Sequence, residues 1–409
     1  MEKILKRFLE YIAFDTQSDA ETHTHPSTEK QFRLAEYLRD ELLSIGLKDV
    51  KLDDRCYVYA RIPATAGYEN VPVLGLIAHM DTSDAASGAN VKPQIIRNWD
   101  GSPIPLGTSR IRITPQPHLK GGTIITTDGT TLLGGDDKAG IAIIVTAVEK
   151  LLNSTMPHGA VSIAFTPDEE IGEGTDFFDL ELFGADYAYT VDGGAAEYLE
   201  TGTFNAAGAE VICRGISTHP GSAKNLMINA QKIAMEFNSM LPVYEVPEHT
   251  AGLEGFYHLT HSSGNVSQAE LHYILRDHSS EILEKRKKFM LETADFLNMK
   301  YGQGTVSVAL KEQYRNMAEI IEKYPFLVDI ASKAIRDAGL EPTILQVRGG
   351  TDGARLSFMG LPCPNLGYGG YEAHGEREYI HVESMIKVVD IIMNITSYFT
   401  SLPDRLHKD

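Results

Sequence analysis

Three apolar runs of this chain are each followed by side chains that can bind metal ions or move protons. The runs and the groups after them are residues 73–78 with His79 and Asp81, residues 161–165 with Asp168, Glu169 and Glu170, and residues 187–191 with Asp192. Short continuous apolar runs are typical of buried parallel strands. Ligand sites in open α/β sheets gather at the carboxyl ends of the strands, so these side chains are predicted to meet at one sheet edge.

A fourth acidic group, Asp136 and Asp137, stands between two glycines and a predicted helix from Lys138 to about Leu152. Each group taken alone has a structural explanation. Either aspartate could cap the helix, and His79 could be a hydrogen-bonded core histidine. Capping does not explain four such groups at corresponding positions, which favours a shared site.

Crowded carboxylates and imidazoles are stabilised around metal ions, because the ions offset their mutual repulsion and desolvation. Nitrogen and oxygen ligands together favour zinc or a similar divalent ion, and several carboxylates can hold two ions with one bridging. Of the adjacent Glu169 and Glu170, one is then predicted to bind metal while the other handles protons.

Chain length and net charge limit which classes of protein fit this sequence. The 409 residues favour two domains, and the formal charge of −19 disfavours nucleic acid or an anionic membrane as a partner. The three cysteines are far apart and odd in number, as expected for buried free thiols in a reducing compartment. The N-terminal residues read as an amphipathic helix and not as a signal peptide, and no segment is apolar enough to span a bilayer. We therefore expect a cytoplasmic protein.

Alternating helices and strands predict an α/β fold. Residues 1–203 and 318–409 are predicted to form a discontinuous catalytic domain with a mixed, largely parallel sheet. Between them, residues 204–317 read as strand, helix, two strands, helix, strand, which predicts an inserted ferredoxin-like β-α-β-β-α-β domain. Near the N-terminus, Thr28 followed by Gln31 predicts a capping box before a helix with an apolar stripe.

Short motifs spread over essentially the whole chain carry a family resemblance. The main ones are His79-x-Asp81, residues 135–140, Asp168-Glu169-Glu170, residues 190–194 and residues 374–379, with further matches at residues 15–18, 124–129, 255–259 and 348–354. In this order they resemble the two-zinc exopeptidase and deacylase family of metallopeptidases, and within it most closely the tripeptide aminopeptidases. The resemblance implies a zinc-exopeptidase-like catalytic domain with an inserted lid and dimerisation domain.

The resemblance also implies roles for single residues at the metal site. Two zinc ions per subunit would be held by His79, Asp136, Glu170, Asp192 and His374. Asp136 would bridge the ions, His79 and Asp192 would complete one shell, and Glu170 and His374 the other. Asp81 would orient the ring of His79 from behind. Glu169 would be the general base for a water activated by zinc. Asp137 and Asp168 receive no ligand role, and capping or solvated positions are expected for them.

In the inserted domain the resemblance points to His219, Asn229 and Arg276. By themselves these residues are ordinary, since Arg276 beside Asp277 is typical of a surface pair and Asn229 of a solvated helix residue. The resemblance implies that His219 stabilises the developing oxyanion. It also implies that Asn229, Arg276 and Arg348 clamp the peptide's C-terminal carboxylate, a ruler for peptide length.

These observations together predict a cytoplasmic, di-zinc aminopeptidase that releases the N-terminal residue from tripeptides. A dipeptidase or an N-acyl amino acid deacylase with the same metal centre is the alternative enzyme. A non-catalytic metal-binding or peptide-binding protein is the alternative from another class. The expected partners are a small peptide substrate and a second copy of the chain, which would dimerise through the lid domain.

Overall fold

The structure is a computed structural model that describes residues Met1–Asp404. Over this range the α-helices are α1 Glu2–Tyr11, α2 Gln31–Ser44, α3 Gly135–Leu152, α4 Leu180–Phe183, α5 Ala230–Met240, α6 Ser280–Tyr301, α7 Ala318–Ile321, α8 Pro325–Asp337, α9 Asp352–Phe358 and α10 Val382–Phe399. The strands are β1 Asp49–Leu52, β2 Val58–Ile62, β3 Leu74–His79, β4 Gln94–Ile96, β5 Ile104–Pro105, β6 Arg112–Ile113, β7 Ile124–Thr126, β8 Val161–Thr166, β9 Tyr187–Gly193, β10 Tyr198–Gly202, β11 Asn205–Arg214, β12 Phe256–Gly264, β13 Gln268–Asp277, β14 Val306–Tyr314, β15 Thr343–Gln346, β16 Asn365–Gly367, β17 Gly370–Tyr371 and β18 Tyr379–His381. Within Met1–Asp404, no helix is both long enough and apolar enough to cross a membrane.

The chain divides into two compact units, and the first consists of Met1–Thr201, Glu319–Leu345 and the described residues from Thr351 onward. Its main sheet has the strand order β1-β2-β8-β3-β9-β16-β10-β15. The four central strands, β8, β3, β9 and β16, run parallel, and antiparallel pairs flank them on both sides. The predicted mixed sheet is therefore confirmed, with its parallel part at the centre.

The central strands and α3 are apolar because both of their sides are covered. Every residue of β3 and of β8 is buried, as expected for parallel strands between layers of helices. Helix α3 is buried almost all round and packs against β3, α1 and α10. Gly140 permits this close packing, because a Cβ added there would lie only 2.1 Å from the carbonyl oxygen of Val191 in β9.

One local prediction near the N-terminus is wrong. Helix α2 begins at Gln31, but its N-cap residue is Lys30, and no side chain caps the helix. Thr28 instead donates its hydroxyl to the carbonyl oxygen of Gln17 at 2.8 Å. The side chain of Gln31 is buried, and its Nε2 donates to the Thr28 hydroxyl oxygen at 3.3 Å and more closely to Asp168 at 2.6 Å, so it does not accept or cap a backbone group at the helix end.

The second unit comprises Gly202–Ala318 together with Gln346–Gly350. Its elements follow the order β11, α5, β12, β13, α6, β14, and its antiparallel sheet has the strand order β12-β13-β11-β14. This is the β-α-β-β-α-β order expected from the sequence. Alternate residues of β11 and β13 are buried against α5 and α6. The other residues of the two strands form what we call the open face of this sheet.

Candidate metal centre

The ends of neighbouring parallel strands in the first unit supply most of the candidate ligands. His79 is the last residue of β3, Glu170 follows β8, and Asp192 lies near the end of β9. Asp136 comes from the start of α3, where its φ of −80° and ψ of 104° are not yet helical. His374 comes from the connection between β17 and β18. The five predicted ligands thus reach one edge of the main sheet from five separate segments.

Asp136 lies between the two histidines. Its Oδ1 is 2.9 Å from His79 Nε2, and its Oδ2 is 3.1 Å from His374 Nε2. On the first side, His79 Nε2 is also 3.4 Å from Asp192 Oδ1. On the second side, His374 Nε2 is 3.0 Å from Glu170 Oε2. The two oxygens of one carboxylate therefore face two separate pairs of donors.

These separations fit divalent ions. Zinc bonds of about 2.0–2.2 Å in a tetrahedral shell place neighbouring donor atoms roughly 3.3 Å apart. The donor atoms here are separated by 2.9–3.4 Å. His79, Asp136 and Glu170 form one potential metal-binding group, and His79, Asp137 and Asp192 form another. Mixed imidazole and carboxylate donors of this kind suit zinc or a similar ion.

The pKa shifts of the candidate ligands also favour bound cations at this position. Burial, followed by the charge of Asp136, raises the pKa of Glu170, and burial raises the pKa of Asp192 well above its ordinary range. Hydrogen bonds to Asp136 and Glu170 raise the pKa of His374 to about 11. Buried carboxylates that resist ionisation in the bare protein are stabilised as anions by bound cations.

Asp81 and Glu169 lie beside these ligands. Asp81 Oδ1 is 3.3 Å from His79 Nδ1, and the Asp81 carboxylate also accepts the N–H groups of Glu169 and Glu170 at 2.9 and 3.1 Å. Glu169 Oε1 accepts the N–H of Asp352 at 3.2 Å. Burial, followed by the charge of Asp192, raises the pKa of Glu169 well above its ordinary range. The positions suit an orienting carboxylate and a general base, and both roles stay predictions.

The structure agrees with the expectation for one of the two remaining aspartates and corrects it for the other. Asp137 does cap the regular part of α3, because its Oδ1 accepts the N–H of Gly140 at 3.1 Å. It is also fully buried, and its Oδ2 accepts the N–H of His79 at 3.3 Å. Asp168 is fully buried as well, and its carboxylate accepts hydrogen bonds from Ser27 and Gln31, so neither the solvated nor the capping position expected for it is found.

Sequence reasoning gave no role to two further buried residues that hold the ligands. The carboxylate of Glu378 accepts the N–H groups of Leu133, Gly134 and Asp136 at 2.8–2.9 Å. The side-chain oxygen of Asn365 accepts the N–H of Asp192 at 3.0 Å. Unpaired N–H groups in the glycine-rich turn before Asp136 signal that some acceptor is needed. Nothing in the sequence identifies Glu378 as that acceptor.

The residues predicted to bind substrate from the inserted domain lie in the second unit, where no hydrogen bond or ion pair among the described residues joins any two of them. His219 is exposed, and its Nδ1 accepts the N–H of Gly221 at 3.1 Å. Asn229 is the N-cap of α5 and accepts the N–H of Gln231 at 3.0 Å. The predicted functions of these two residues are untested, while their local structural roles are plain.

The two arginines differ from each other. Arg276 has no carboxylate of the described chain within ion-pair distance, and its guanidinium donates to the carbonyl of Leu275 at 3.0 Å and lies over the Tyr314 ring. The alternative of a surface ion pair between Arg276 and Asp277 is therefore wrong. Arg348 donates to the carbonyls of Gly252 and Glu254 at 3.0 and 2.7 Å, so its guanidinium already holds a loop of its own unit.

A cavity of about 480 Å³ adjoins His374 in the first unit. Its lining residues are Ala85, Ala86, Ile111, Glu372, Ala373, Gly375, Glu376 and Arg377. Glu372 is neutralised by its ion pair with Arg377. The cavity offers room for a small organic group beside the loop that carries the candidate ligand His374.

Comparison with known proteins defines the class. A sequence model of peptidase family M20/M25/M40 matches residues 129–397. The chain belongs to this family, and the metallopeptidase predicted from the motifs is thereby confirmed. Peptidase T of Clostridium novyi (strain NT) is 50% identical to this chain over 407 residues, which cover 98% of this chain and 100% of that protein.

Two solved structures share the fold. A tripeptidase from Staphylococcus aureus subsp. aureus mu50 has a TM-score of 0.79 at 23% identity, and an aminopeptidase PepT from Bacillus cereus ATCC 10987 has a TM-score of 0.77 at 24% identity. Each comparison covers 98% of this chain and 99% of the other. The fold of the whole described chain is therefore one that known peptidases adopt.

Proposed function

We propose that this chain is an aminopeptidase that releases the N-terminal residue from tripeptides and binds two zinc ions per subunit. The observation that carries the proposal is the position of Asp136, whose two carboxylate oxygens face His79 and His374 separately. The full-length similarity to a peptidase T supports the choice of activity. A homodimer formed through the second unit and a cytoplasmic location stay predictions from the sequence.

The residues of the first unit suit peptide hydrolysis. When bound, the zinc ions would lower the pKa of a water molecule and polarise the scissile carbonyl. Glu169 Oε1 accepts the N–H of Asp352, which leaves Oε2 to take a proton from that water. The water oxygen bonds to the carbonyl carbon, the C–N bond breaks, and Glu169 returns the proton to the leaving amine nitrogen. Asp81 holds both His79 and the peptide groups of Glu169 and Glu170 in place during these steps.

The preference for tripeptides would come from recognition of the substrate's C-terminal carboxylate. Arg276 is the best placed of the proposed clamp residues, because no carboxylate of the described chain occupies its guanidinium. Arginine can bind a carboxylate through two parallel hydrogen bonds, which fixes distance as well as charge. Arg348 would first have to release the loop that it holds, so we assign it the smaller contribution. His219 is proposed to stabilise the oxyanion.

Product analysis tests the proposal. Zinc-loaded protein is incubated with trialanine, N-acetyl-trialanine and dialanine, each with and without a chelator. We expect free alanine and dialanine from trialanine only, and we expect the chelator to stop their release. Preferential cleavage of dialanine or of the blocked peptide would keep the metal centre but identify the dipeptidase or deacylase alternative. If no peptide is cleaved, the proposal is wrong.

A further inference from the structure

The Asp168 carboxylate accepts more hydrogen bonds than is expected for one of three adjacent acidic residues in a loop. Its Oδ2 accepts the N–H of Ser27 at 2.7 Å, and its Oδ1 accepts the Ser27 hydroxyl at 2.5 Å and Gln31 Nε2 at 2.6 Å. Ser27 Oγ in turn accepts the N–H of Asp19 at 3.0 Å, which leaves its hydroxyl hydrogen available to Asp168. Three converging donors favour a fixed carboxylate. In addition, His25 Nδ1 lies 3.4 Å from Oδ2.

The backbone at Asp168 needs this support. Its φ of +56° lies in the left-handed region, where a residue with a side chain is strained and persists only when its surroundings hold it, although aspartate adopts this region more readily than most residues. Gln31 contributes twice, because its Oε1 accepts the N–H of Asp168 at 3.3 Å while its Nε2 donates to the carboxylate. The side chain and the main chain of Asp168 are thus bound by the same partner.

The residues that donate to Asp168 belong to a segment that also forms backbone hydrogen bonds with the loop after β3. We call residues 15–31 the strap. Ser18 donates its N–H to the carbonyl of Thr82 at 3.2 Å, and Thr82 donates its N–H to the carbonyl of Thr16 at 3.3 Å. Thr82 directly follows Asp81, which accepts the N–H groups of Glu169 and Glu170. The strap therefore ties together the two turns that carry the orienting carboxylate and the candidate base.

We infer that Asp168 is a positioning residue for hydrolysis: bound to Ser27 and Gln31, it fixes the turn that presents Glu169 to the substrate. Among the described residues, no hydrogen bond or ion pair joins its side chain to a proposed ligand, so its proposed effect is on the direction of the next residue. Misplacing a reacting group by about 1 Å can cost on the order of 100-fold in rate. The inference rests on the proposed function, since Glu169 must be the base.

Asp168→Asn tests the inference. The amide places an N–H₂ group against a donor from Ser27 or Gln31, so the turn loosens while the size of the side chain is kept. We expect kcat to fall about 10- to 100-fold, with KM within about twofold and zinc content unchanged. The double variant Asp168→Asn with Gln31→Glu restores the bond between these two side chains, because the Asn amide then donates to the Glu carboxylate, and should recover part of kcat; the Ser27 hydroxyl, which donates to the same oxygen of Asp168, stays without its acceptor. Asp179→Asn is the matched control, because Asp179 accepts the N–H of Leu182 at 2.9 Å in the same connection and does not touch Glu169.

The outcomes separate positioning from simple stabilisation. A folded Asp168→Asn protein with wild-type kcat would overturn the inference. A parallel loss of kcat, melting temperature and zinc that the double variant does not rescue would also overturn it. If Asp168→Asn does not fold, Ser27→Ala removes one of the three bonds and should lower kcat about 3- to 10-fold with KM unchanged. All variants are assayed on whichever peptide the wild type cleaves fastest, so a wrong substrate class and a wrong role for Asp168 give different results.

Discussion

The metal centre of the first unit and the open face of the second unit's sheet carry similar side chains but hold them differently. On the open face, Glu210, Glu270 and His272 bring ligand atoms within 4.8 Å of one another, because β11 and β13 pair Glu210 with His272. Glu210 is exposed, and within Met1–Asp404 the Glu270 carboxylate accepts a side-chain hydrogen bond only from Gln268 Nε2, at 2.8 Å. Cross-strand pairing alone produces such proximity.

In the first unit, four of the five candidate ligands, all except His374, have their backbone N–H bound by a buried side-chain oxygen from elsewhere in the chain. Glu378 holds the turn before Asp136, Asn365 holds Asp192, and Asp81 holds Glu170. Backbone anchoring of this kind sets the direction of a side chain before any ligand arrives. The comparison teaches that a site is distinguished by how its residues are held and not by which residues are near each other.

The largest effect is expected for Glu169→Ala, which tests catalysis separately from metal binding. Glu169→Ala removes the proposed base, and general acid–base catalysis supplies roughly 10²- to 10⁴-fold. We therefore expect kcat to fall about 1,000-fold while zinc content, measured by elemental analysis, is retained. Glu173→Ala is the control from the same turn and should keep both values. A Glu169→Ala rate within tenfold of the wild type would exclude Glu169 as the base.

The next prediction uses two glycines, one from each region. Gly140→Ala places a Cβ 2.1 Å from the carbonyl oxygen of Val191, a backbone atom that cannot move aside. We expect a loss of about 3 kcal/mol in the free energy of unfolding, as for a strongly overpacked core, together with weaker zinc binding. For Gly208→Ala on the open face, the atom nearest to the added Cβ is 3.8 Å away. That variant should change stability by less than about 0.5 kcal/mol. Urea unfolding measures both, and equal losses would contradict the close approach of α3 to β9.

The two regions also differ in what the sequence could predict. Of the candidate ligands in the first unit, His79, Glu170 and Asp192 are predictable because they follow recognisable buried strands, and strand ends determine where side chains gather. His374 enters the prediction only through the family resemblance. The anchoring residues Glu378 and Asn365 were not found, because an acceptor for distant N–H groups leaves no local pattern. The expectation of a solvated or capping position for Asp168 is wrong for the same reason, since its partners Ser27 and Gln31 are more than 130 residues away in sequence.

The second unit shows the opposite balance. Its β-α-β-β-α-β order was predictable, because the strands alternate buried and open residues and the helices have clear ends. Its candidate substrate residues have ordinary local roles, such as the cap formed by Asn229. Their function depends on a ligand, and neither propensity nor burial reports on a group that is absent from the folded chain.

Arg276→Ala tests the one candidate of the second unit that has no competing carboxylate. A hydrogen bond to a charged group contributes about 1.5–3 kcal/mol, so KM for trialanine should rise roughly 10- to 100-fold. For the C-terminal amide of trialanine the rise should be much smaller, because the carboxylate is missing. Arg214→Ala, on the exposed end of β11, is the control. Equal effects of Arg276→Ala on both substrates would show that Arg276 does not bind the carboxylate.

The smallest effect is expected for Glu200→Gln, which tests whether the buried Glu200 that supports Asn365 costs stability as pH rises. Glu200 supports Asn365, whose Nδ2 donates to Glu200 Oε2 at 2.7 Å, and burial raises the pKa of Glu200 to about 7. Between pH 4.5 and 7 the folded chain therefore keeps a proton that the unfolded chain has lost, so this residue makes stability fall as pH rises. Glu200→Gln removes that dependence. We expect the stability of Glu200→Gln relative to the wild type to increase by on the order of 1–2 kcal/mol from pH 5 to pH 8. Urea unfolding of both proteins at the two pH values, with chelator present to remove metal linkage, measures the difference. A relative stability that is constant with pH would mean that Glu200 is already ionised in the folded chain, and that anchoring Asp192 through Asn365 carries no such cost.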